Sequence, residues 1–216
     1  MSDVKTGRRS YHSPVRADAA RRTRQAIVAA AGELFLERGY TAASLREVAE
    51  LAGVARPTVA AAFGSKPALL RQVVDEALAG DDEPVPVAQR PWFAPVFEAT
   101  RPVDVLEAYA GICTLVATRA ARVFEIVHRA AGESPEIAEL WTTLARNRRT
   151  GAEMIIKRAA ETGPIRTDIP RDHVVDGLWT LNDPATYTNL VLDRGWSDQD
   201  FRTWLSRQMR AAVLPA

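Results

Sequence analysis

Apolar positions recur along this chain with a helical period for most of its length. Ile27, Ala30, Ala31, Leu34 and Phe35 fall at i, i+3, i+4, i+7 and i+8, one stripe of an amphipathic helix, and Gly39 supplies a left-handed stop behind it. Ser44-Leu-Arg-Glu47 is a capping box, in which Ser and Glu satisfy each other's orphan amides at a helix start. Leu45, Val48, Ala49 and Ala52 form that helix's buried face, and Gly53 ends it. Only Gly53, Val54 and Ala55 separate it from a helix over Arg56–Phe63, with Pro57 in the first turn, where an amide would lack an intrahelical partner anyway. Ser65 caps a fourth helix whose apolar side is Leu69, Leu70, Val73, Val74, Ala77 and Leu78.

Between Gly80 and Pro95 the pattern breaks: Asp81, Asp82 and Glu83 are followed by Pro84, Pro86, Pro91 and Pro95, the composition of a connection. Helical patterning then returns over roughly 102–130, 135–162, 172–193 and 197–213. Pro184 interrupts the third of these, because it lacks an amide and crowds the carbonyl of Thr180, and Asn182 or Asp183 would cap the restart. The last begins at Ser197-Asp-Gln-Asp200 and carries Phe201, Trp204, Leu205 and Met209 on one stripe. Neither an alternating strand pattern nor a repeat is present, so the expected class is all-α. The division is a disordered basic arm (1–20, with Lys5, Arg8, Arg9 and Arg16), a small N-terminal helical domain (21–80), a linker (81–101) and a larger helical domain (102–216).

Composition narrows the class of function. The 216 residues are 47% hydrophobic and 25% charged, an ordinary globular balance. Their apolar runs are far shorter than the ~20 residues a membrane-crossing helix needs. The opening segment is polar and basic, unlike a secretory signal, and the lone Cys113 suits a reducing compartment, so the expected location is the cytoplasm. The net charge of +1 conceals an asymmetry: residues 1–66 hold 11 Lys or Arg against 6 Asp or Glu, and the remainder hold 17 against 21. A basic N-terminal module fits a polyanionic partner.

A short helix, a tight turn opening with Gly and a second short helix form the unit that lays its second helix in the major groove of DNA. The motif spans about 44–63, and Lys66 stands at a helix N-terminus, where amides and dipole favour phosphate. At this point the chain resembles the TetR family of bacterial repressors. The resemblance runs from Arg22 to about Leu78 through Ile27, Ala30, Ala31, Leu34, Phe35, Gly39-Tyr40, Thr41, Ser44, Val48, Ala49, Gly53-Val54, Thr58, Phe63, Ser65-Lys66 and Leu69-Leu70. A less specific likeness covers 178–187, Gly195-Trp196-Ser197 and Trp204-Leu205. The resemblance implies that Thr41 and Ser44 cap the first motif helix beside the DNA backbone. It also places Arg46 on the DNA side, Arg56, Pro57, Thr58 and Ala60 on the reading helix, and Lys66 on a phosphate. Arg46 and Arg56 are alternative base readers, since arginine forks onto guanine O6 and N7. The chain departs from the family at Ala60 and Ala62, where an aromatic and a Tyr or His are common. Alanine touches a thymine methyl but donates no hydrogen bond, so either the contacts move to Arg56 and the arm or specificity is relaxed.

For the larger domain the resemblance implies dimerisation through the last two long helices, with Phe201, Trp204, Leu205 and Met209 at the interface, and a small-molecule effector pocket between the others. Trp92, Phe93, Tyr109, Trp141, Trp179 and Asn182 are the pocket candidates, an aromatic wall with a few polar groups. Catalytic patterns are missing: no phosphate-cradling Gly loop, no His-Glu-x-x-His, no Cys-x-x-Cys and no nucleophile elbow. On one unbroken helix Cys113 and His128 would stand ~22 Å apart, outside hydrogen-bond reach. The expectation is a non-enzymatic, metal-free and cofactor-free homodimeric repressor, released from double-stranded operator DNA by an effector. The rival is a helical dimer of the same fold that has lost specific DNA binding and works through ligand or protein contacts.

Overall fold

In the computed structural model residues 14–215 are described, and every regular element among them is helical. The first helix, α1 (Pro14–Ala42), starts seven residues inside the segment expected to be arm; residues 1–13 lie outside the described part. It kinks at Gly39, whose φ of +79° is open to glycine and costly for other residues. Then follow α2 (Leu45–Leu51), α3 (Arg56–Phe63) and α4 (Lys66–Ala79). The larger domain contains α5 (Ala94–Glu98), α6 (Pro102–Ala130), α7 (Pro135–Thr162), α8 (Arg171–Leu181), α9 (Pro184–Tyr187) and α10 (Asp198–Val213).

Local chemistry sets these boundaries. Ser44 and Glu47 form the full capping box, Ser65 accepts from the amide of Ala68, and Ser197 accepts from that of Asp200. The helical pattern over 172–193 is not one helix. It stops at Asn182, Asp183 caps the restart by accepting from the amide of Ala185, and Pro184 occupies the first turn of α9. A single π turn (Thr188–Leu192) follows.

The segment expected to be a linker is packed. Arg90 is almost fully buried and organises it, reaching Asp81 with Nη1 at 2.6 Å, the carbonyl of Val85 with Nε at 3.0 Å and that of Glu83 with Nη2 at 2.8 Å. Two 3-10 turns (Val87–Gln89 and Pro91–Phe93) lead into α5, and Phe93 and Val96 enter the core. Arg21 of α1 pairs with Asp82 at 2.6 Å and with Glu83, tying the start of the small domain to this connection.

Two buried clusters meet along α6. The first joins α1–α4 to the C-terminal half of α6 and the first turns of α7, so Ile27, Leu34, Leu69 and Val74 share a core with Val123, Phe124, Val127 and Leu140. The small domain is therefore seated on the large one. The second cluster packs α10 and α8 onto the rest of α6 and α7. This bears on the stripe expected at the dimer interface. Phe201, Leu205 and Met209 are at most 2% exposed because α6 and α8 of the same chain cover the apolar stripe of α10, and their burial needs no partner. Trp204 alone of the four is partly open.

Candidate DNA-binding surface and effector cavity

The helix pair is held from behind. Val59, 1% exposed, anchors α3 in the first core cluster. Arg24 of α1 donates to the carbonyl of Ala62 at 2.7 Å and lies 4.3 Å above the ring of Phe63. A cation at the negative end of a helix dipole is favourable, so Arg24 steadies α3 at its C-terminus. Arg56, Pro57, Ala60 and Ala61 are left on the exposed face, and Thr58 is half-buried. Arg46, exposed on α2, pairs loosely with Glu50 at 3.5 Å.

The turn between α1 and α2 differs from the expectation. Ser44 caps α2, but Thr41 does not; its hydroxyl donates to the carboxylate of Glu133 in the α6–α7 turn. Lys66 donates to the carbonyl of Thr41 at 3.2 Å with its ammonium 4.3 Å from the Tyr40 ring centroid. Burial there draws the Lys66 ammonium below the usual lysine range, against the opposing pull of Glu133 and Glu47. The phosphate candidate is thus folded back onto the turn, beside an acidic group of the larger domain.

A cavity of about 360 Å³ lies inside the larger domain, bounded by α4, the first 3-10 turn, α6, α7, the α8–α9 junction and α10. Of the six pocket candidates, Phe93, Tyr109 and Asn182 line it, and the three tryptophans do not. Trp92 sits beneath the guanidinium of Arg119 at 5.4 Å. Trp141 stacks on His128 at 4.6 Å. Trp179 donates from Nε1 to the carbonyl of Ala145 at 3.2 Å and faces the Arg148 guanidinium. Amphipathic rings with a nearby cation or carbonyl satisfy themselves without a ligand. Asn182 donates to the hydroxyl of Tyr109 at 2.7 Å, and Cys113, also on the wall, is buried so that its thiol is pushed up to about 12.

Sequence reasoning missed Arg24 and Arg148, and gave Asp183 a capping role alone. Arg24 had no signal, since its role needs a carbonyl 38 residues away. For the cavity a signal existed: Ala117, Ala120, Ala121 and Gly151 put small side chains on faces directed inward, and small residues at facing positions leave room.

Two short helices joined by a glycine turn, the second exposed and braced by α1, define a helix-turn-helix protein of the DNA-binding type. Residues 27–73 match the family profile described as bacterial regulatory proteins of the tetR family. Solved structures with the same fold extend the likeness over about nine-tenths of the chain. A protein described as a transcriptional regulator from Saccharomonospora viridis, solved with choline, is 20% identical with a TM-score of 0.68, covering 93% of this chain and 100% of its own. NalD, the secondary repressor of the MexAB-OprM multidrug efflux pump in Pseudomonas aeruginosa, is 20% identical with a TM-score of 0.68, covering 90% and 98%. A TetR-family regulator from Rhodococcus sp. is 16% identical with a TM-score of 0.67, covering 89% and 98%. Among curated proteins none matches this chain in sequence. Among the described residues no helix is long and apolar enough to cross a membrane.

Proposed function

We propose that the protein is a homodimeric transcriptional repressor that leaves its operator when a small molecule fills the cavity of its larger domain. The observation that carries this reading is the course of α4. The helix begins at Lys66, beside the DNA-facing turn, and Leu78 near its end forms part of the cavity wall. A ligand that displaces Leu78 moves the same rigid element that seats the motif. A coupling free energy of ~1–3 kcal/mol would change operator affinity ~5–150-fold. The solved relatives support the reading by their fold, one as a repressor and one holding a small molecule.

Dimerisation rests on a patch that keeps only Trp204 of the four residues the sequence suggested. Leu192 and Trp196 are exposed by more than a third, and Trp196 meets Trp204 edge-on at 6.2 Å, an aromatic surface beside α8 and α10 that a second copy would cover. In this dimer Arg56, with Thr58, reads bases, and Ala60 contacts a thymine methyl.

Fluorescence anisotropy with DNA flanking the coding region tests the proposal. A pseudo-palindromic site, half-site centres one helical turn of ~34 Å or a multiple apart, should bind with a steep salt dependence. A log–log salt slope near zero would overturn it. The rival, a ligand-binding dimer without an operator, is favoured by one observation, the alanines Ala60 and Ala61 on the exposed face of α3. It predicts binding no tighter to flanking than to random DNA.

A further inference from the structure

The polar groups of the cavity are gathered mainly on its α7 and α8–α9 side, and their valences restrict what can bind. Arg148 donates from Nη1 to the carbonyl of Asn182 at 2.9 Å and from Nη2 to Oδ2 of Asp183 at 2.7 Å, while its Nε is buried and has no hydrogen-bond partner. A guanidinium does not deprotonate in proteins, so this Nε–H remains a donor awaiting an acceptor. Arg119 and Arg158 also leave Nε unmatched, but neither lines the cavity. Arg148 is the one side chain on the wall that combines a charge with an unmet donor.

The charge balance sets the second restriction. Asp183 already neutralises Arg148, and Asp75 of α4, on the exposed rim, has no ion-pair partner among the described residues. Two carboxylates therefore oppose one cation around a wall that is otherwise uncharged and mostly apolar, including Leu78, Phe93, Ile112, Val116, Phe124 and Leu144. A bound anion would lie in low dielectric against a net negative surround. A cation would find the carboxylate beside Arg148, that of Asp183, already engaged.

We propose that the cavity takes an uncharged, mainly apolar small molecule with one hydrogen-bond acceptor, a carbonyl, ether or hydroxyl oxygen seated on Nε of Arg148, and that it rejects organic anions of the same shape. The proposal deepens the effector reading above and rests on it for its regulatory meaning, but the binding preference stands apart from any effect on DNA.

Calorimetry on the full chain with four matched probes tests it: 2-acetylnaphthalene, 2-ethylnaphthalene, 2-naphthoate and 2-naphthylmethylammonium. The ketone should bind about tenfold more tightly than the hydrocarbon, the increment of one hydrogen bond to a charged donor. The carboxylate should bind more weakly than the hydrocarbon. Arg148→Lys keeps a cation for Asp183 but removes Nε–H, and it should lower the ketone's affinity to that of 2-ethylnaphthalene measured on the same variant. Gly151 lies on the cavity wall, and a Cβ there meets nothing within 4 Å, so Gly151→Leu should fill the space and abolish binding of all four probes. Equal affinity for ketone and hydrocarbon, tightest binding by the carboxylate or the ammonium, or no binding by any probe overturns the proposal. If Arg148→Lys does not fold, the probe series on the unaltered chain still decides. Ketone preference without any change in operator affinity would sink the repressor switch and leave the ligand class standing.

Discussion

A Cβ placed on Gly80 would lie 2.0 Å from Nη1 of Arg119. Gly80 closes α4 in the left-handed region at φ +90°, and the Arg119 guanidinium of α6 occupies the space a side chain would need, donating to the carbonyl of Leu78 at 3.2 Å. Gly80→Ala should cost about 1 kcal/mol for the left-handed backbone and about 1 kcal/mol more for the displaced arginine. In an Arg119→Ala background only the backbone part should remain. Denaturant midpoints of the four proteins give the coupling, and strictly additive losses would show that the two residues do not interact.

On the DNA side, Arg56 and Lys66 should separate by readout. Arg56→Ala should cost ~1–3 kcal/mol on the operator and relax preference at one position of each half-site. Lys66→Ala should weaken all sequences alike and lower the salt slope by about one unit, the behaviour of a phosphate contact. Anisotropy titrations on operator and scrambled DNA distinguish the two, and equal losses for Arg56→Ala on both DNAs would give it a backbone role instead.

Glu133 holds the Thr41 hydroxyl and places a negative charge next to Lys66. A DNA phosphate approaching that turn meets repulsion of about 1 kcal/mol at close range in water. Glu133→Gln should therefore raise operator affinity roughly fivefold at low salt, with the gain shrinking as the Debye length falls. Unchanged affinity at 50 mM salt would remove Glu133 from the DNA-facing electrostatics.

The fate of α10 variants separates folding from assembly. Leu205→Ala and Met209→Ala open space in the core of a single chain and should each cost ~2–5 kcal/mol. Trp204→Ala touches a half-open ring, and should shift sedimentation toward monomer with a smaller loss of stability. A Leu205→Ala protein of unchanged melting temperature would contradict the packing of α10 on α6.

Alkaline pH should weaken the joint between α9 and α10. The Tyr187 hydroxyl donates to Oδ1 of Asp198 at 2.6 Å, and burial, with that bond, pushes it up to about 12 from about 10. The folded state holds this proton more tightly than the unfolded state, so the contribution is complete below pH ~10 and is lost as pH rises toward 12. Tyr187→Phe should flatten that part of the stability profile measured by urea unfolding. An identical slope in both proteins above pH 10 would assign the alkaline loss to other groups.

Helix positions were legible in the sequence wherever a terminus is built from local chemistry. Ser44, Ser65 and Ser197 announce their helices by a side chain bonding an amide three residues on, and Gly80 and Pro184 end or restart them without long-range help. What covers a buried stripe was not legible. Phe201, Leu205 and Met209 have the same spacing whether the cover is a partner or α6, and periodicity records only that a face leaves water. The cavity wall joins residues from position 75 to 205, and the Thr41–Glu133 contact joins positions 92 apart. The tryptophans misled because an aromatic ring is equally at home against a cation, a core or a ligand.

The seclusion of Cys113 has a practical consequence. A thiol that is nearly all un-ionised at neutral pH and reachable only through the cavity reacts slowly with maleimides and methanethiosulfonates. A cysteine introduced at exposed Ala61 on α3 would then be the fast-reacting site in otherwise native protein. Spin labels attached there would give the distance between reading helices in any assembly the chain forms, with DNA or probe present, and no native residue would have to be engineered away first.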